Sequence, residues 1–323
     1  MSNAILVLAE QVRGELSDIT FEMLGAARAL AQNTGVPVHA AVLGGEAAPL
    51  ASKLGAADKV FVADAPQLNL APADTLAAAL KALLERTGAG LVFLGCTNVS
   101  LGVGSILAAR TGLPLVNFCR ALKADGTTLV CTSQLFGGKI LADVKLGDSR
   151  GIVCLYPGAF PVDAGKSDKS PAVEKVDLPV EPPKVTFKQY LEPETGDVDI
   201  TKQTVLVGVG RGIQTQDNVQ LAEELAQALG GAVCASRPVI DQGWLPLSRQ
   251  VGKSGMTVKP RVYFAFGISG APEHWEGMQN SQCIIAVNTD PKAPIFDGAH
   301  YGVVGDALDL LPVLTEKVKA RKG

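Results

Sequence analysis

Aromatic residues make up only 5% of this 323-residue chain, too few to offer stacking platforms to a nucleic acid. Acidic and basic residues nearly cancel, 32 against 29, for a net charge of −3. No run of one sign stands out, so neither a nucleic-acid partner nor an anionic membrane surface is expected. No apolar stretch reaches the length of a bilayer span, which argues against an integral membrane segment. The opening residues, Met1 to Ala4, lack the basic and apolar regions of a secretion signal, and the expected location is cytoplasmic. The six cysteines (Cys96, Cys119, Cys131, Cys154, Cys234 and Cys283) never pair as Cys-x-x-Cys. Zinc and iron–sulfur sites need clustered thiolates, so buried, reduced thiols and no metal are expected.

Two phosphate-binding fingerprints are incomplete. GVGRG at 208–212 opens like a dinucleotide motif, but G-x-G-x-x-G needs glycine where Ile213 stands. GKS at 252–254 resembles the end of a P-loop, whose first glycine would fall at Leu247. A stand-alone nicotinamide dehydrogenase and a nucleoside-triphosphate hydrolase are therefore disfavoured. No nucleophile–base pair or carboxylate pair stands at a telling spacing. That silence fits a protein whose bound cofactor supplies the chemistry. A non-redox nucleotide-binding protein stays open.

What is present is a chain 47% hydrophobic with 35 glycines. Apolar runs at 4–9, 36–43, 59–63 and 91–95 read as buried parallel strands. Helical periodicity falls between them at 16–32, 50–55, 72–86 and 102–111. Runs at 127–131, 140–145 and 151–155 read as shorter strands. Small polar residues at 96–100 read as capping for the helix that follows. From 161 to about 202 prolines and charges mix, which predicts a surface linker. A second alternation follows: a strand at 204–208, a helix at 218–229 closed by Gly230 and Gly231, strands at 261–266 and 283–287, and a helix at 307–319. The expected fold class is α/β, with two parallel-sheet domains. These are 1–195, Rossmann-like and similar to nucleotide hydrolases, with the linker at its end, and 196–323, doubly wound.

The second half carries the chemistry. The run at 261–266 passes straight into Gly267 to His274, and ligands of open α/β sheets bind past the carboxyl ends of strands. Glycines there let backbone N–H groups approach an anion. Five blocks stand in order: SRPVID at 236–241, QVGKSG at 250–255, GISGAPEH at 267–274, NTDPKAPIF at 288–296 and YGVVGD at 301–306. Together with ILVLAE at 5–10, they resemble the electron transfer flavoprotein alpha subunit. The resemblance implies FAD bound by the second domain and a first domain that holds no nucleotide and packs on a beta subunit. It also implies electron flow from an acyl-CoA dehydrogenase, as in fatty acid beta-oxidation, to a quinone oxidoreductase. An electron-bifurcating relative, oxidising NADH and reducing ferredoxin, is the alternative; WLPLSR at 244–249 is loosely similar to anaerobic relatives.

The same resemblance implies roles for particular residues. Arg211 would reach the phosphate region. Ser236 and Arg237 would stand by the flavin ring, Arg237 as a cation that favours added negative charge. Because Pro238 follows, Arg237 is expected to be extended. Gln250, Val251, Gly252, Lys253 and Ser254 form one loop. Ser254, where threonine is usual, would donate to flavin N5. Lys253, often glutamine, either points to solvent or raises the flavin potential. Ser269, Gly270 and Ala271 supply the turn, and Pro272 and Glu273 depart from the family's common residues. His274 would donate near the flavin O2 carbonyl. Asn288 would hold a ribityl or phosphate oxygen, and Asp306 with Ala307 the adenosine. His39 and His300 are given no such role.

Overall fold

The computed structural model describes residues 4–45, 47–180, 182–189 and 198–322. The chain divides into two compact units, Met1–Gln189 and Tyr190–Gly323. The boundary expected between 195 and 196 lies outside the described residues.

Unit 1 contains β1 (Ile5–Ala9), β2 (Gln11–Val12), β3 (Glu15–Leu16), α1 (Asp18–Thr34), β4 (Val38–Gly44), α2 (Ala48–Ala51), β5 (Lys59–Asp64), α3 (Ala73–Thr87), β6 (Leu91–Gly95), α4 (Val103–Thr111), β7 (Leu115–Asp125), β8 (Thr128–Leu135), β9 (Ile140–Leu146), β10 (Gly151–Leu155) and β11 (Ala172–Lys175). Nine of these strands form one sheet in the order β11-β5-β4-β1-β6-β10-β7-β8-β9, while β2 and β3 make a separate hairpin. The strands from β11 to β7 run parallel, and β8 and β9 add antiparallel. β1, β6 and β10 are buried at every position, as continuous apolar runs require when helices cover both faces. One core packs α1 against the sheet and the other packs α3 and α4.

Three expectations need correction. β7 was not expected; a left-handed Phe118 (φ 53°) and a bulge between Cys119 and Ala121 break its period of two. The stretch expected as linker places β11 on the sheet edge beside β5. Backbone pairing suffices at an edge, and Glu174 is held by Lys59 and Arg86 at 2.5 and 2.8 Å. The residues at 96–100 do not cap α4 with side chains; its N-cap is Gly102, left-handed at φ 84°. Instead Thr97 and Ser100 donate their hydroxyls to the buried Glu10 carboxylate at 2.6 and 2.5 Å. Burial raises the Glu10 pKa, and those two bonds partly offset it.

Unit 2 contains β12 (Val205–Val209), α5 (Val219–Leu229), β13 (Ala232–Ala235), α6 (Arg237–Asp241), β14 (Val262–Phe266), α7 (Pro272–Met278), β15 (Ile284–Asn288), β16 (Tyr301–Val304) and α8 (Ala307–Lys322). Its five strands are all parallel, in the order β13-β12-β14-β15-β16. α5 ends at a left-handed Gly230 (φ 73°), which closes the last turn. The chain leaves β12 for β13 on one side and then crosses to β14 on the other. β12 and β14 therefore flank a topological switch point. No helix among the described residues is long and apolar enough to cross a membrane.

Candidate functional site

At that switch point lies a hollow of about 670 Å³, a size that suits a small-molecule ligand. Arg211 and Gly212 follow β12, and Ser236, Arg237, Pro238 and Asp241 follow β13. Gly267, Ile268, Ser269, Ala271, Glu273 and His274 follow β14, and Asn288 ends β15. The loop Gln250, Val251, Gly252, Lys253 and Ser254 completes the lining. Unit 1 has its own hollow of about 500 Å³, but its wall is the flank of α3 and not a set of strand ends.

The turns are shaped by what glycine permits. A Cβ on Gly210 would fall on the Gly267 carbonyl oxygen and 2.8 Å from Ile268 Cα, so the turns after β12 and β14 touch backbone to backbone. Gly267 is left-handed at φ 61°. A Cβ on Gly252 would lie 2.9 Å from the Glu273 carbonyl oxygen, which lets the loop press against the start of α7. There Lys253 N donates to Glu273 O at 2.8 Å, and Val251 N donates to Ala235 O at 2.9 Å. Among the described residues, the backbone N–H groups of Ser269, Gly270 and Ala271 have no acceptor. Such a turn suits an anion.

The side chains differ in how they are held. Gln250 is buried, and its Nε2 donates to Ser254 Oγ at 2.9 Å. The Ser254 hydroxyl proton is thereby left to donate elsewhere. Asn288 Nδ2 donates to Ile268 O at 3.0 Å and Oδ1 accepts from Asp290 N at 2.9 Å. Its amide ties β15 to the Gly267 turn. Arg237 is not extended as expected; Ser236 is (φ −78°, ψ 156°), and Arg237 begins α6 with Nε 3.3 Å from Asp241 Oδ2. Pro238 sits in the first turn, where its missing N–H costs nothing. Lys253 Nζ lies 3.9 Å from Glu276 Oε2, so its charge is shared with that carboxylate.

The expected donation from His274 also needs correction. Its Nδ1 is 3.0 Å from Val251 O, and its Nε2 is 3.0 Å from Tyr263 Oη. Both ring nitrogens are thus engaged within the protein. Burial draws its pKa down to about 4, so the ring is neutral near pH 7.

Gly270, Pro272, Asp306 and Ala307 do not line the hollow. Gly270 (φ 86°) pins the turn against Ile295, whose Cα would be 2.5 Å from an added Cβ. Asp306 Oδ1 accepts from Leu308 N at 2.9 Å at the head of α8, and Ala307 is buried beneath it. His39 stands edge-on to Phe61, and His300 accepts from Ile284 N at 3.0 Å. Reading residues alone missed Gly212, Pro238, Asp241 and Ile268 in the lining, and Tyr263 behind it. The i,i+4 spacing of Arg237 and Asp241 was a usable signal; Tyr263 reads simply as part of an apolar strand.

The hollow gathers strand-end N–H groups without acceptors, two guanidinium groups and the Ser254 hydroxyl, a set suited to an anionic ligand. Residues 5–181 match the family described as electron transfer flavoprotein domain, and residues 199–279 match the electron transfer flavoprotein FAD-binding domain. The chain is 36% identical to the electron transfer flavoprotein subunit alpha of Megasphaera elsdenii, covering 99% of this chain and 97% of that one. It is also 36% identical to the subunit alpha of Methylophilus methylotrophus, over 98% of both chains. It is 34% identical to the lactate dehydrogenase (NAD(+),ferredoxin) subunit LctC of Acetobacterium woodii, over 98% of this chain and 77% of that one. The chain belongs to the electron transfer flavoprotein family, as an alpha subunit, and its cofactor is FAD.

Proposed function

We propose that this chain is the alpha half of a heterodimer whose hollow in unit 2 holds FAD, accepting electrons from an acyl-CoA or related dehydrogenase and delivering them to a quinone oxidoreductase. The observation that carries the reading is the convergence of four strand-end turns and the 250–254 loop on one hollow at the switch point. Bound there, FAD supplies the redox chemistry. Arg211 and the N–H groups of Ser269 and Ala271 suit its phosphates. Arg237 sets a cation at the rim, and the Ser254 hydroxyl, oriented by Gln250, donates a proton-bearing bond into the site. Asn288, fixed by Ile268 and Asp290, holds the turn in place. The partner is a beta subunit. Unit 1 supports this with exposed Phe118, Phe136, Ile140 and Leu141 on its β7–β9 end, an apolar surface suited to a protein partner.

Co-expression with a cognate beta subunit tests the proposal. A heterodimer with flavin absorbance and one FAD per dimer is expected; a folded heterodimer without flavin refutes it. The similarity to LctC favours a second reading, in which the assembled pair oxidises NADH and reduces ferredoxin. NADH oxidation by the purified pair separates the two.

A further inference from the structure

Behind the hollow lies a row of three titratable groups that the proposed function does not use. Cys234 Sγ is 3.4 Å from Tyr263 Oη, and Tyr263 Oη is 3.0 Å from His274 Nε2. The row ends at the bond from His274 Nδ1 to Val251 O, 3.0 Å long. Tyr263 and Cys234 are fully buried, and His274 is 6% exposed. Gly208, level with Cys234 on the neighbouring strand, makes room: a Cβ there would lie 2.5 Å from Tyr263 Oη.

The directions follow from donor and acceptor chemistry. A carbonyl only accepts, so Nδ1 carries the proton toward Val251. In the neutral ring Nε2 is then bare and accepts from the Tyr263 hydroxyl. The Tyr263 oxygen in turn accepts from the Cys234 thiol. Every member is satisfied, in one direction. The opposite direction leaves only the Cys234 thiol proton without an acceptor. With a proton on Nε2, the imidazolium donates to Tyr263 Oη, and the Tyr263 hydroxyl swings to Cys234 Sγ. A thiol is a weak donor and a weak acceptor, so ending the row on cysteine makes either direction inexpensive.

We propose that Cys234, Tyr263 and His274 form a hydrogen-bond chain that reverses when His274 gains a proton, letting this imidazole become charged beside the hollow with only the weak Cys234 thiol donor left without an acceptor. The reading of the hollow as the FAD site enters only as the source of negative charge that draws the proton in. That proton is taken up from solvent and ends on Nε2; no bond to carbon or sulfur changes and nothing in the chain is oxidised. The row is a terminus and not a relay, because its outer members keep their protons. Burial pushes Cys234 up to about 12 and Tyr263 well above its ordinary value. The charged groups around His274 are Glu273 and Glu276 on its own helix, Lys253 on the facing loop, the Arg237–Asp241 pair at the hollow, and Arg249, which donates to Val233 O at 2.8 Å. Tyr263 is thus a positioning residue.

Nitrogen-15 NMR of the three histidines in the heterodimer tests this, with His274→Gln assigning the signal. Without FAD, Nδ1 should be protonated and Nε2 bare. After reduction of the FAD-loaded dimer, Nε2 should gain a proton in the wild type and fail to do so in Tyr263→Phe. The flavin midpoint potential should fall with rising pH in the wild type and lose most of that slope in Tyr263→Phe. An Nε2 that stays bare on reduction, or an unchanged slope in Tyr263→Phe, overturns the proposal, and the first needs no variant to fold. A dimer that binds no flavin overturns the reading of the hollow, while the FAD-free tautomer still decides the chain: a proton found on Nε2 and not on Nδ1 overturns it.

Discussion

Gly210→Ala asks whether the contact between two turns builds the hollow. The added Cβ would overlap the Gly267 carbonyl oxygen and lie 2.8 Å from both Gly267 C and Ile268 Cα. All three are backbone atoms, so no rotamer change relieves the clash. The turn after β14 must move, and with it the bonds from Gly210 N to Phe266 O and from Gly212 N to Gly267 O, at 2.9 and 3.1 Å. Overpacking of this kind costs about 1–3 kcal/mol. Where that cost falls on the FAD-competent geometry, affinity drops roughly five- to 150-fold, since about 1.4 kcal/mol is tenfold. Gly230→Ala is the matched control. Its left-handed backbone (φ 73°) strains an alanine, but nothing lies within 4 Å of the new Cβ. It should lose a similar stability, about 1–2 kcal/mol, without touching the hollow. The assay is FAD titration of the two unloaded heterodimers by flavin fluorescence, beside their thermal midpoints. If both variants lose FAD affinity equally, or if Gly210→Ala binds FAD normally, the backbone contact does not shape the site.

Two further outcomes are expected. Arg237→Ala should leave FAD bound but lower its one-electron potential by on the order of 40–60 mV, from about 1 kcal/mol of attraction near a wet surface; unchanged potentials in spectroelectrochemical titration would remove Arg237 from that role. Glu10→Gln should gain most, relative to wild type, near neutral pH. The raised Glu10 pKa means that the folded chain holds this proton where the unfolded chain, with a value of about 4.3, has released it. The cost of burying the charge is complete above the folded value and fades as pH falls through it, so denaturant midpoints of the two proteins should diverge from pH 5 upward, and a constant difference would show that Glu10 is not the cause.

Much of the fold was legible because parallel strands buried on both faces read as unbroken apolar runs, as in β1, β6 and β12. β7 was not, because a bulge and a left-handed Phe118 hide its alternation. β11 was not, because an edge strand needs only its backbone, and Glu174 with two cations looks like linker. In the site, the glycine turn and the residues beside it could be read directly, since backbone close to an anion demands glycine. The tie between Tyr263 and His274 could not, because it depends on how β14 meets α7 and on room left by Gly208 in the next strand.

The two units also show why similar sheets lead to different chemistry. Each has a switch point beside a central strand, β1 in unit 1 and β12 in unit 2, and in each the residue just past that strand decides what the crevice can accept. In unit 1 it is Glu10, whose carboxylate takes the hydroxyls of Thr97 and Ser100 and lies against Gly95, where a Cβ would be 2.5 Å from its Oε1. The anion seat is filled from within, and only about 110 Å³ remains among Gly95, Thr97 and Ser100. In unit 2 it is Gly210, with no side chain at all, and about 670 Å³ stays open beside it. A side chain at position 210 would run into the Gly267 carbonyl oxygen and push the turn after β14 aside. The difference in open space at the two switch points thus tracks one residue type at one place in a shared architecture.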